Sequence, residues 1–115
     1  MSRAPGTRLK VANDIRRAFR IAFAKKGPMK FISHLDLQRL FQRAARRADL
    51  PLVMSQGFSP RPKMSFKRAL KLGLESEAEE MSLQVYTGIL PEDFINRLQA
   101  QLPEGISLKN IEEIN

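Results

Sequence analysis

The sequence contains no cysteine and a single histidine. Disulfides, thiolate zinc sites and an iron–sulfur cluster ligated by this chain are therefore excluded. A histidine-based metal site is poorly served as well, because His34 and Asp36 are two residues apart, a spacing that diverges on a helix. No apolar run approaches the roughly 20 residues of a membrane-spanning helix. Met1 to Ile15 lacks the apolar centre of a secretory signal, so the cytoplasm is the expected compartment. The GxxxxGK[ST] phosphate loop and the GxGxxG dinucleotide fingerprint are both missing. Internal repeats and low-complexity blocks are missing too, and no cofactor or metal is expected.

What is present suits a small globular domain. At 115 residues, 43% of them hydrophobic, the chain is long enough to remove roughly two-thirds of its unfolded surface from water. Its net charge of +8 conceals a sharper division. Residues 1–73 carry 18 Lys and Arg against 3 Asp and Glu, whereas residues 74–115 carry 2 against 9. Such asymmetry points to a basic face for a polyanion. The competing reading is a solvated surface whose two halves compensate each other in the fold.

Residues 1–15 read as a flexible basic tail, and 16–115 as one domain. A first strand is expected at about Ala18 to Ala24, where Phe19, Ile21 and Phe23 alternate with Arg20 and Ala22. Lys26-Gly27-Pro28 is a turn signal, with Met29 to Ile32 extended after it. Ser33 then stands where a helix N-cap belongs, and Asp36 can answer it as the acid of a short capping box. Asp is shorter than the usual Glu or Gln, which leaves the box half formed. Leu37, Leu40, Phe41, Ala44 and Ala48 form one apolar stripe. Arg39, Arg43, Arg46 and Arg47 fall on roughly the opposite side. Leu50-Pro51 ends the helix, because a residue before proline is pushed out of the helical region.

Beyond Pro51, Leu52 to Ser55 reads as a short strand and Gln56 to Pro62 as a stiff loop, with Met64 and Phe66 extended again. Leu70, Leu72 and Leu74 alternate with Lys71 and Gly73. Met81, Leu83 and Val85 make the best period-two run in the chain, paired with the preceding segment through an acidic turn at Glu75 to Glu80. Pro91, Glu92 and Asp93 open a second helix with Phe94, Ile95, Leu98 and Leu102 on its buried side. Pro103-Glu104-Gly105 stops it, and Ile106 to Ile111 is the last strand. Strand, helix, strand, strand, helix, strand is the split βαβ order, an α+β ferredoxin-like fold with two helices on one face of an antiparallel sheet.

Three features carry possible chemistry. The helical arginines repeat about once per turn, a spacing that can follow successive phosphates. Only Asp36 offers them an acid on the same helix. The loop Ser55-Gln56-Gly57-Phe58-Ser59-Pro60-Arg61-Pro62-Lys63 adds an aromatic on which a base could stack, with Arg61 and Lys63 to hold phosphates. The alternative buries Phe58 in the core and leaves the prolines to shape a connection. His34, just inside the helix start, is a weak candidate for a general acid or base because it lacks a partner nucleophile.

Taken together, Lys30-Phe31-Ile32-Ser33-His34-Leu35-Asp36, Arg43-Ala44, Arg46-Arg47-Ala48, Leu50-Pro51, Gly57-Phe58-Ser59-Pro60-Arg61-Pro62-Lys63, Leu72-Gly73-Leu74-Glu75-Ser76 and Leu102-Pro103-Glu104-Gly105 resemble a known group. It is the radical-SAM-linked family of uncharacterised bacterial proteins. Members occur alone, or joined to or encoded beside radical SAM proteins. The resemblance covers about residues 17–111 and departs from the family pattern at Arg61, where a histidine is common. It implies a radical SAM protein or RNA metabolism as company, and it brings no established activity. Without the cysteine triplet of a radical SAM enzyme, this chain could serve only as an accessory.

Three readings result. The first is a non-catalytic RNA-binding module that uses Lys30, His34, Arg39, Arg43, Arg46, Arg47, Phe58, Arg61 and Lys63. The second is a protein-interaction adaptor for a radical SAM or ribosome-associated partner. The third, by analogy of fold alone, is a metal-independent endoribonuclease with His34 as base and Lys30 or Arg61 stabilising the developing charge.

Overall fold

The computed structural model describes residues 16–69, 71–86 and 88–114. The tail expected at 1–15 lies outside the described residues. Four strands and two helices follow in the order β1 (Arg16–Lys25), α1 (His34–Arg47), β2 (Met64–Phe66), β3 (Ser76–Tyr86), α2 (Pro91–Gln99) and β4 (Ile106–Ile114). The sheet order is β2-β3-β1-β4 with every neighbouring pair antiparallel, the ferredoxin-like arrangement expected from the element order.

Alternation along the central strands decides which face is covered. Phe19, Ile21 and Phe23 of β1 and Met81, Leu83 and Val85 of β3 all point to the helix side and are buried. The two helices meet them there. Phe23 packs its ring 5.1 Å from that of Phe41 in α1, and Phe19 packs 5.2 Å from Phe94 in α2. Leu37, Phe41, Ala44 and Ala45 are the buried stripe of α1, while Phe94 and Leu98 anchor α2. Each such large apolar side chain contributes roughly 1.5–3 kcal/mol on full burial.

The start of α1 behaves as its sequence requires. Ser33 Oγ accepts a hydrogen bond from the Asp36 backbone N–H at 3.1 Å. The Asp36 carboxylate turns instead to Arg39, 3.6 Å away, so the capping box is half formed. At the other end Asp49 takes a left-handed conformation (φ 55°) that breaks the helix before Pro51.

Four local expectations are corrected. Gly27–Phe31 is a 3₁₀ helix rather than a turn followed by extended chain, because Pro28 fits the first helical turn and Gly27 supplies φ 60° ahead of it. Leu52 to Ser55 forms no strand of its own: it makes isolated bridges from Leu52 to Val85 and from Met54 to Pro62. Ser76 to Glu80 is not a turn but the first half of β3, paired with Phe23 to Lys25 and beyond. Its acidic side chains are stabilised by cations from other elements, which no local pattern records. Leu72 and Leu74 stand exposed in the irregular segment before β3, where they have no strand to alternate on.

Candidate functional site

The position of α1 over the sheet turns Arg39, Arg43 and Arg46 away from the core. They occupy positions i, i+4 and i+7, so their side chains share one exposed ridge. The chain then leaves α1, runs along the edge of β3 and folds back on itself. Val53 N–H donates to the Gln84 carbonyl at 3.0 Å, and Gln84 N–H donates to the Lys63 carbonyl at 3.1 Å. Between these anchors the loop arms pair directly. Ser55 N–H donates to the Arg61 carbonyl at 2.7 Å, and the Arg61 N–H returns to Ser55 Oγ at 3.1 Å. Gly57 (φ 125°) allows the reversal at the tip.

This folding back brings Ser59, Pro60 and Arg61 opposite the helix ridge. A guanidinium N–H of Arg46 reaches the Pro60 carbonyl at 3.4 Å. Arg39, Gln42, Arg43 and Arg46 on one side and Ser59, Pro60 and Arg61 on the other enclose a cleft of about 310 Å³. Four of its side chains are arginines.

Five of the nine carboxylates of residues 74–115 are paired elsewhere. Glu112 pairs with Arg20 at 2.7 Å, Glu113 with Arg17, and Glu79 with Arg68 at 2.9 Å. Glu77 is shared between Lys26 and Lys109 at 3.1 and 2.9 Å, and Glu80 lies 3.8 Å from Lys67. Hydrogen bonds from Lys109 and Lys26 hold the Glu77 carboxyl below the usual carboxylate range. Among the described residues, Arg43, Arg46 and Arg61 have no carboxylate within ion-pair distance. Arg39 has Asp36 alone. Charge compensation between the halves is thus real but local, and it leaves the cleft strongly positive.

Not every expected residue joins it. Arg47 is one residue beyond Arg46 and therefore turned about 100° around the helix, toward α2. Its guanidinium donates to the side-chain and backbone oxygens of Gln101 at 3.2 and 3.0 Å. Lys30 sits in the 3₁₀ helix with its ammonium 5.2 Å from the centre of the Phe31 ring. His34 packs edge-on against Phe66, 5.4 Å between ring centres, and its Nε2 lies 3.1 Å from the Gln38 amide. Neither Lys30 nor His34 lines the cleft. Phe58 projects fully into solvent at the loop tip beside Ser59, so the buried alternative for this ring is not what the fold adopts. Lys63 is half-buried on the returning arm. Gln42 and Ser59 are additions that charge patterning overlooks, although the i+3 spacing of Gln42 from Arg39 places it on the same ridge.

The open face of the sheet offers a contrast. Ferredoxin-like domains that read RNA across the sheet stack bases on two or three strand aromatics. Among the described residues, Tyr86 is the one ring on that face, with the Arg16 guanidinium 5.9 Å from its centre. The same face carries Gln84, Ser82 and Arg20 further along the strands.

Residues 18–115 match the model of a family described as an uncharacterized protein conserved in bacteria (DUF2344). The chain belongs to this family. The match spans every described element except the first residues of β1. No curated protein matches the chain. No helix among the described residues of this DUF2344 protein is long and apolar enough to cross a membrane. The same residues hold no group of three or more His, Cys, Asp or Glu placed to bind a metal ion.

Proposed function

We propose that this DUF2344 domain is a non-catalytic RNA-binding accessory module of the bacterial cytoplasm, with the α1–loop cleft as its phosphate-binding surface. One observation carries the reading: Arg39, Arg43, Arg46 and Arg61 converge on one cleft while five of the nine carboxylates of residues 74–115 pair with cations elsewhere. Guanidinium groups fork to phosphate oxygens, and Phe58 stands beside them as an open platform for a base. Chemistry of this kind positions a backbone more than it reads a sequence.

The test is binding to a structured RNA over a series of salt concentrations. Four phosphate contacts give a log–log slope of roughly −3 to −4. Replacing Arg43 and Arg46 by glutamate abolishes binding while the thermal transition stays in place. Retained binding in that double variant removes the cleft from consideration.

A second reading, a protein adaptor for a radical SAM or ribosome-associated partner, draws on a different observation. Phe31, Leu35 and Leu72 are all at least half exposed around the 3₁₀ helix and the start of α1. A shallow salt slope with RNA, together with retention of a protein partner, favours it. The endoribonuclease reading draws no support from the cleft, since His34 faces Phe66 and Gln38 rather than Arg61.

A further inference from the structure

A second cavity lies beside a buried lysine at the end of β1. Lys25 ends β1 with its side chain on the core-facing side of the sheet and is 1% exposed. Its ammonium donates to the Lys71 carbonyl at 2.9 Å and lies 3.5 Å from the Lys30 carbonyl. Among the described residues no carboxylate comes within ion-pair distance of it. An ammonium has three protons to donate, so at least one is left for another acceptor. Next to it is a cavity of about 250 Å³, lined on its outer side by Arg68, Ala69, Lys71 and Leu74.

The carboxylate closest in role is already committed. Glu79, 4% exposed, takes two hydrogen bonds from Arg68 at 3.2 and 2.9 Å. Glu75 accepts the Gly27 N–H at 2.7 Å. The lining thus sets three cations, Lys25, Arg68 and Lys71, against two carboxylates. One positive charge remains over, and the Glu79 carboxylate acts on the buried Lys25 ammonium through space, without reaching ion-pair distance. Removing an ammonium from water is strongly unfavourable unless a counter-charge or good acceptors replace the lost hydration. Two backbone carbonyls, one of them at the limit of hydrogen-bond distance, supply only part of that.

We propose that this cavity is a binding site for a small oxyanion, a carboxylate or phosphate group, received by Lys25 Nζ with the outer edge of the Arg68 guanidinium at its mouth. Arg68 uses one edge on Glu79 and keeps N–H groups on the other, so it can hold a ligand and the wall of the site together. The site is separate from the arginine cleft and does not depend on RNA binding there.

The test uses the whole chain with inorganic phosphate and, in a parallel arm, acetate. Backbone amide shifts of Lys71 and Ser76 are followed by NMR at constant ionic strength set with KCl. Saturable shifts at these amides in either arm, retained when Arg43 and Arg46 are replaced by glutamate, are the expected result; the arm that saturates first names the preferred group. Lys25→Met abolishes them. Should that variant fail to fold, Ala69→Glu decides, because it sets a like charge at the cavity wall while leaving the buried groups in place. It weakens binding at least about tenfold. Shifts that follow ionic strength without saturating, that survive Ala69→Glu, or that vanish with the Arg43 and Arg46 changes overturn the proposal.

Discussion

Arg47 and Arg97 cross between the two helices, each reaching the end of the other's. Arg47 donates to Gln101 just beyond α2, and Arg97 of α2 donates to the Ala48 and Asp49 carbonyls at the end of α1, 2.5 and 2.6 Å away. Helix C-termini leave carbonyls without intrahelical partners and carry the negative end of the dipole. A guanidinium satisfies both needs at once. The exchange locks the two helices together at one end, while Gln99 of α2 ties that helix to the Ile106 carbonyl and Leu108 N–H of β4.

Arg97→Ala therefore destabilises the fold by about 1.5–3 kcal/mol, the range for hydrogen bonds to a charged group. Arg47→Ala costs about 1 kcal/mol, since Gln101 is partly exposed and regains water. Urea unfolding checks both. RNA binding by Arg47→Ala, measured at a temperature where it is fully folded, stays within about twofold of the parent. This outcome separates Arg47 from Arg43, which the bare sequence pattern treats alike.

Gly105 is held against the 3₁₀ helix. Lys26 N–H donates to its carbonyl at 2.8 Å, and its φ is 102°. A Cβ built there meets the Lys26 carbonyl at 2.7 Å and Met29 Cγ at 2.8 Å. Gly105→Ala has to strain the backbone and push the 3₁₀ helix aside as well. The expected loss exceeds about 1 kcal/mol, the upper end of what a harmless exchange of this type changes. A smaller drop in urea midpoint shows that the Lys26 segment yields freely. Gly57, at φ 125° in open space, carries only the backbone term.

Acid stability follows from Glu79. The paired hydrogen bonds from Arg68 hold its carboxyl below the usual carboxylate range, against the opposing effect of burial. In the unfolded chain it returns to about 4.3. Below that value the unfolded state binds a proton that the native carboxylate does not, so stability rises with pH across the interval. The contribution is whole above the unfolded value and is lost as pH falls through the folded one. Its size at neutral pH is on the order of 1 kcal/mol, because Arg68 is largely exposed and screened. Glu79→Gln flattens the acid limb of stability below about pH 5. Some slope persists in that variant from Glu77, whose carboxyl is shifted in the same direction. An unchanged acid limb rules out Glu79 as its source.

Much of this was legible in the residues and some was not, for a physical reason. Phe19, Ile21 and Phe23 alternate strictly, and Ser33 precedes a clean helical stripe, so local pattern and tertiary role agree. Ser76 to Glu80 reads as a turn because four of the six residues from Glu75 to Glu80 are acidic. It is a strand because Arg68, Lys26 and Lys109 come to it from distant positions. The arginine ridge was visible from spacing on one helix, but its meeting with Arg61 depends on the loop pairing of Ser55 with Arg61 across six positions. Lys30 and His34 lie close to the ridge in sequence, yet they belong to the entry end of α1, where Phe31 and Phe66 are their neighbours. Burial of Lys25 had no local signal, since it is set by the carbonyls of two other segments.

Phe58 gives the sharpest separation of fold from function. A ring that is fully exposed in the native state contributes no burial, so Phe58→Ala leaves the thermal transition within about 3 °C of the parent, as a neutral surface change of under about 0.5 kcal/mol requires. If the loop tip is a stacking platform beside Arg61, the same change weakens binding of a single-stranded RNA by about 1–3 kcal/mol. Phe58→Trp restores or strengthens it, because stacking needs only an aromatic face. The salt slope stays that of the parent, since no phosphate contact is removed. A loss of affinity accompanied by a shallower slope shows instead that Phe58 orders the loop for Arg61. Equal affinity for Phe58→Ala and the parent takes the ring out of the interface and leaves the arginine cleft to bind phosphates alone.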